Sequence, residues 1–344
     1  IVLDRLGIKF AIKVTPTHVY IIADPLNTGY LIETTLPGEK IVQFDERFKK
    51  NYIEYLHNNK IISDMEFRNS TIDALFEKNY AKDISVSIKE LAGLHYNNFG
   101  VYKHNKAEYA AALVNFEKAE MLYPDKLIKF LKSNALLNLL NEEHNRKKYN
   151  GITLAKYILS NDSSSEEVTY SKEYFESVSA ELVVNHPDIQ AYSAYFNALK
   201  PALNPQTSSE ILRIYYFFRG YYDVVNYDYG KGLAHLAKAY QYNPQNINTR
   251  NLILEAVGKH IVTDRNHRAG IDSLNAYFTK FPFLTNNQTL MSYMEYCYMQ
   301  SIDSYFTSGD AENGYKLLND IESFMESHPE FEPNDEYTAV IYQK

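Results

Sequence analysis

The stretch Tyr109–Pro124, YAAALVNFEKAEMLYP, returns further along the chain as Tyr229–Pro244, YGKGLAHLAKAYQYNP. Nine residues ahead of each copy stands a glycine, Gly100 or Gly220. Gly100, Tyr109, Ala112, Phe116, Ala119 and Pro124 therefore match Gly220, Tyr229, Gly232, Leu236, Ala239 and Pro244 with identical steps of 9, 3, 4, 3 and 5 residues. Gly258, His267, Gly270, Leu274, Tyr277 and Pro282 keep the same steps with weaker residues, and Tyr305, Gly309, Gly314, Leu318 and Ile321 form a looser fourth set. Steps of three and four put residues on one helix face. Each copy reads as two helices. A small residue in the middle of the first lets the second approach, a small residue early in the second returns the fit, and the proline ends the second. Each pair leaves an apolar face uncovered, so pairs stack.

This pattern resembles the tetratricopeptide repeat (TPR) over 93–126, 213–246, 251–284 and 295–328. The resemblance implies a mainly α fold, a TPR-like solenoid of helical hairpins over 86–344, and a protein or peptide partner held in a groove. By the repeat's usual register the groove is lined by Asn97, Val101, His104, Phe217, Tyr221, Glu255 and Lys259. The set lacks the clustered Lys and Asn of a clamp for a C-terminal carboxylate, and partial burial against a neighbouring repeat is an equal reading of Phe217 and Tyr221. Between 127 and 212 two irregular helix pairs are expected. Ser164-x-x-Glu167 and Thr207-x-x-Glu210 read as capping boxes, and Asn185-His186-Pro187 and Asn204-Pro205 as breaks. Glu336 to Tyr342 reads as the start of another helix.

Residues 1 to about 45 read differently. Val2 to Leu6 is a helix stopped by Gly7. Phe10, Ile12 and Val14 alternate with Ala11 and Lys13, as in a half-buried strand. Thr17 to Ala23 and Tyr30 to Thr34 are further strands around an Asp24–Gly29 turn. So small an antiparallel sheet must lean on helices. Helices follow, one presenting Phe48, Tyr52 and Tyr55, another spanning Met65 to Tyr80.

The segment LGIKFAIKVTPTHVYIIADPLNTGYLIETTLPG is similar to the second half of a transglutaminase-like core, so residues 1–85 are expected to hold part of such a domain and connecting helices. In that family a cysteine opens a helix, a histidine opens a later strand, and an acid follows on the next. The resemblance makes His18 the base and Glu33 its orienting acid. The nucleophile is expected before residue 1, because Cys297, inside Met294–Met299, reads as a small core residue. The chain by itself is therefore expected to be non-catalytic. The alternatives are a transglutaminase-like cysteine hydrolase or acyltransferase whose cysteine lies upstream, and a structural subunit of a larger assembly. The resemblance favours a bacterial cell envelope or periplasm over the cytoplasm.

Composition narrows the classes. The chain has 344 residues, a net charge of -8, 31 Tyr, no Trp and one Cys. The acidic balance argues against nucleic acid as a partner, and the basic run Arg47–Lys50 reads as a solvated helix face. No internal disulfide or thiolate cluster can form. No apolar run is long enough to cross a membrane. Neither a cofactor nor a metal site is expected: His260 and His267 flank the turn Asp264–Asn266, and Glu142, Glu143 and His144 read as a solvated helix end. So many tyrosines suit half-buried positions between helices, the ring packed and the hydroxyl wet.

Overall fold

In the computed structural model, which describes residues 2–15, 18–23, 25, 30–32, 46–79, 84–160, 165–262 and 266–328, the chain is mainly helical with a small antiparallel sheet. Contacts group it into two units, residues 1–164 and 165–344.

The first unit begins with helix α1 (Val2–Arg5), stopped as expected at Gly7, where φ is +68°. Strands β1 (Phe10–Thr15), β2 (His18–Ala23), β3 (Tyr30–Ile32) and β4 (Ile84–Val86) form a sheet in the order β3-β2-β1-β4. Ile12 pairs with Ile21 on one side and Val86 on the other, and Ile21 pairs with Ile32. The β1 alternation holds: Ile12 and Val14 are buried with Val86. Strand β4 is an addition to the sequence reading. Three residues just ahead of a helix cap are too short to announce a strand; only β1, distant in sequence, makes them one.

Between β3 and β4 lie α2 (Glu46–Asn58), α3 (Asp64–Asn69) and α4 (Ile72–Asn79). The face that α2 buries carries Ile53 and Leu56, packed on Leu75 and Phe76 of α4. Phe48 and Tyr52 flank it, stacked 6.5 Å apart, while Tyr55 points outward. The single helix expected over 65–80 is two. Ser70 is extended (φ -130°, ψ 151°) and ends α3, and the Thr71 hydroxyl accepts from the Ala74 N–H to start α4. An extended residue and one side-chain cap outweighed the continuous helical period.

The rest of this unit is helical: α5 (Ile88–Asn105), α6 (Tyr109–Leu122), α7 (Lys126–Arg146) and α8 (Gly151–Ser160). Ser87 and Glu90 make a reciprocal capping box that starts α5. The sheet leans on this hairpin through Leu91, Leu94 and Tyr123.

The second unit contains α9 (Ser165–Ala180), a π turn at Glu181–Asn185, α10 (Ile189–Leu199), α11 (Ser208–Val225), α12 (Tyr229–Tyr242), α13 (Ile247–Val262), α14 (His267–Lys280), α15 (Gln288–Thr307) and α16 (Ala311–Ser327). The breaks fall at 185–187 and 204–205 as expected. Tyr123, His186, Asn243, Phe281 and His328, each followed by proline, all leave the helix at φ between -132° and -152°. The pyrrolidine ring drives its predecessor out of the α region.

Thr207-x-x-Glu210 does not form the expected capping box. Thr207 instead closes a turn with the Asn204 side chain, 3.0 Å away, and Glu210 binds Arg213. Ser164 and the segment Glu336–Tyr342 lie outside the described residues.

Candidate interaction surfaces

The two clear repeat copies are built alike. A Cβ placed on Gly100 would lie 2.5 Å from the Phe116 ring, and one on Gly220 would lie 2.6 Å from Leu236 Cγ. Only a hydrogen at these positions lets α6 lie against α5, and α12 against α11. A Cβ on Gly232 would in turn meet Val224 Cγ2 at 2.7 Å. The turns match as well. Ala107 (φ 57°) and Tyr227 (φ 64°) are left-handed, and the next residue's N–H returns to the carbonyl of Lys103 or Asp223. The third copy keeps the spacing without the packing. Among the described residues nothing lies within 4 Å of a Cβ on Gly258, while one on Gly270 would lie 3.1 Å from the Cys297 sulfur of α15. Between α13 and α14 the His260 ring bonds the Tyr277 hydroxyl at 2.8 Å.

Of the seven residues expected to line a groove, Asn97, Val101 and His104 belong to the first unit. Val101 is half-buried against Ala112, Phe116 and Ala135, and His104 bonds the Asn138 amide of α7 at 3.0 Å. The Asn97 side-chain oxygen is enclosed and takes no hydrogen bond from the described residues. Phe217, Tyr221, Glu255 and Lys259 belong to the second unit. Phe217 and Tyr221 of α11 are half-buried on its main core. Glu255 and Lys259, one turn apart on α13, form an exposed ion pair at 2.6 Å, and that carboxylate raises the Lys259 pKa. α11 and α13 adjoin, so these four residues share one region.

His18 is the first residue of β2, opposite Thr15; its side chain and all of Glu33 lie outside the described residues. Cys297 is buried in α15, and burial pushes its thiol pKa up, which suits a core residue rather than a nucleophile. Glu143, expected at a solvated helix end, is half-buried instead. It accepts from the Thr153 hydroxyl at 2.6 Å and the Asn150 N–H at 3.1 Å, tying α7 to the start of α8, and burial raises its pKa. Among the described residues no group of three or more His, Cys, Asp or Glu could hold a metal ion. No described helix is long and apolar enough to cross a membrane.

Three features were not singled out in the sequence. Tyr96 on α5 carries the Lys118 ammonium of α6 over its ring at 5.2 Å, and Tyr216 on α11 carries Lys238 of α12 at 4.9 Å. These are the same positions in the two copies, so the alignment of Lys118 with Lys238 was the available signal. His235 Nδ1 and Asp223 Oδ2 lie 2.7 Å apart between α12 and α11. This pair has no counterpart in the first copy, where Asn115 and Lys103 stand. The third is the outer stripe of α5: Ile88, His95, Phe99 and Tyr102 at helical spacing, all exposed.

Comparison with family models, curated proteins and solved structures finds no match to this chain. What the fold defines is a mainly helical protein with a small antiparallel sheet.

Proposed function

We propose that the chain is a non-catalytic protein-interaction scaffold made of TPR-like helical hairpins, with a peptide-binding groove in residues 165–344. The observation that carries this reading is the adjacency of α11 and α13. The first helices of two successive hairpins lie side by side and offer aromatic rings, Phe217 and Tyr221, next to the Glu255–Lys259 ion pair. Half-buried rings supply contact area with little side-chain entropy to lose, and the ion pair can exchange partners with a peptide's own charges. The glycine-fitted packing of α5 on α6 and of α11 on α12 supports the repeat assignment itself.

The test is affinity capture from a lysate with the wild-type chain and with a Tyr221→Ala, Lys259→Ala double variant of unchanged thermal midpoint. The double variant is expected to lose the proteins that the wild type recovers. Unchanged recovery would refute the groove.

A further inference from the structure

The outer stripe of α5 can be judged against its equivalent in the second copy. His95, Phe99 and Tyr102 correspond, by the same offset that relates Gly100 to Gly220, to Tyr215, Arg219 and Tyr222 of α11. In the second unit Tyr215 and Arg219 of that stripe are covered by α10. Tyr215 stacks on Phe196 of α10 with ring centroids 3.7 Å apart and leans on Tyr192 at 5.4 Å. Arg219 Nη1 donates to Ser193 Oγ at 2.7 Å. The occupant is thus a short helix whose inner face alternates aromatic rings with a small hydroxyl residue.

In the first unit the same stripe faces outward: Ile88 is 49% exposed, Phe99 46% and Tyr102 52%. The rings are held rather than loose. His95 meets Phe99 edge-on at 4.8 Å, and the Lys106 ammonium sits over Tyr102 at 4.4 Å. Lysines and glutamates are equal in number on α5 and α6, but the carboxylates are already engaged. On α5 and α6, Glu90 is taken by the Ser87 cap, Glu108 by Lys103, Glu117 by Lys156 and Glu120 by Lys132. Lys89, Lys106 and Lys118 have no carboxylate within ion-pair distance among the described residues.

We propose that this edge of α5 docks an amphipathic, acidic helix of a partner protein, its aromatic residues against Phe99 and Tyr102 and its carboxylates toward Lys89, Lys106 and Lys118. The mode is a helix laid along a helix face, as α10 lies on α11. Pairing two copies edge to edge would set these lysines against each other, which disfavours a second copy as the occupant. The proposal deepens the scaffold reading and rests on it, while using a surface separate from the Phe217–Lys259 groove.

The probe is a fluorescein-labelled peptide of residues 187–202, the helix that covers α11, carrying Gln190→Glu, Asn197→Glu and Lys200→Glu at positions that are exposed in this chain. Its unaltered counterpart is the control. Fluorescence anisotropy with the full chain is expected to show the acidic peptide binding about tenfold tighter than the control, as three exposed ion pairs would give. Raising salt to about 0.5 M should erase that preference. A Phe99→Ser, Tyr102→Ser variant changes only exposed side chains and is expected to lose binding by about tenfold or more. Failure of the acidic peptide to bind, or binding that the variant leaves intact, would overturn the proposal. So would a wild-type dimer in sedimentation that the variant abolishes, since the occupant would then be a second copy. If the peptide fails while capture still depends on Tyr221 and Lys259, only the edge assignment falls.

Discussion

Gly220 and Gly258 occupy the same position in two copies of one pattern, yet alanine should act oppositely at the two. Each glycine lies inside a helix, where alanine is favoured by about 1 kcal/mol. At Gly258 that gain stands alone, because among the described residues nothing lies within 4 Å of the new methyl. At Gly220 the methyl would sit 2.6 Å from Leu236 Cγ, 2.8 Å from its Cδ2 and 3.1 Å from the Gly232 carbonyl oxygen. Leu236 is fully buried, so it has nowhere to turn, and the backbone oxygen blocks a simple slide of α12. Such overpacking costs about 1–3 kcal/mol. The helix-propensity gain is common to both variants and cancels in their difference, which isolates the packing cost. Both residues lie in residues 165–344, so one unfolding transition reports on both. For a unit of this size the two midpoints should differ by about 2–4 °C for each kcal/mol, with Gly258→Ala above wild type. Thermal melts followed by far-UV circular dichroism measure this. Gly220→Ala melting level with or above Gly258→Ala would refute the close-packing account of the repeat.

Tyr227→Gly should stabilise the second unit by about 0.5–1 kcal/mol. A left-handed non-glycine residue costs about 1–2 kcal/mol, part of which the extra unfolded-state freedom of glycine cancels, and the side chain is 79% exposed at φ 64°; urea midpoints decide it, and no gain would mean the turn relieves its own strain. Glu143 has its pKa raised by burial, so the folded state holds the proton more tightly than the unfolded one. Its ionisation therefore opposes folding at neutral pH, and the penalty fades as pH falls through the folded value. The stability of wild type relative to Glu143→Gln should accordingly rise as pH is lowered from neutral into the carboxylate range, and a flat or falling difference in urea midpoints would contradict the burial argument.

The ends of the helices were legible in the sequence because they depend on neighbours only. Proline fixes its predecessor, aspartate or asparagine caps the next N–H groups, and glycine permits a left-handed stop, whatever the rest of the chain does. Asp228 accepts from the Lys231 N–H at 3.2 Å and Asn266 from the Arg268 N–H at 3.1 Å, bounding α12 and α14 where the spacing put them. The alternation that buries Ile12 and Val14 is local in the same sense.

Which face of each helix is covered was not local. Gly258 has the spacing of Gly100 and Gly220, but among the described residues nothing lies within 4 Å of its Cβ, so the spacing did not place it in contact. The residues read as groove lining illustrate the same limit. Val101 is half-buried against the cluster that Phe116 makes with Ala135 of α7, and His104 found Asn138 34 residues away. Conversely, Phe99 and Tyr102 were not singled out in the sequence, and only the structure shows their rings exposed. The sequence alone determined that helical hairpins recur and where they turn, since backbone sterics and capping act within a few residues. Only the tertiary structure decided which glycines are in contact, which rings are buried and which stripe is left open, because those depend on side chains that meet from distant parts of the chain.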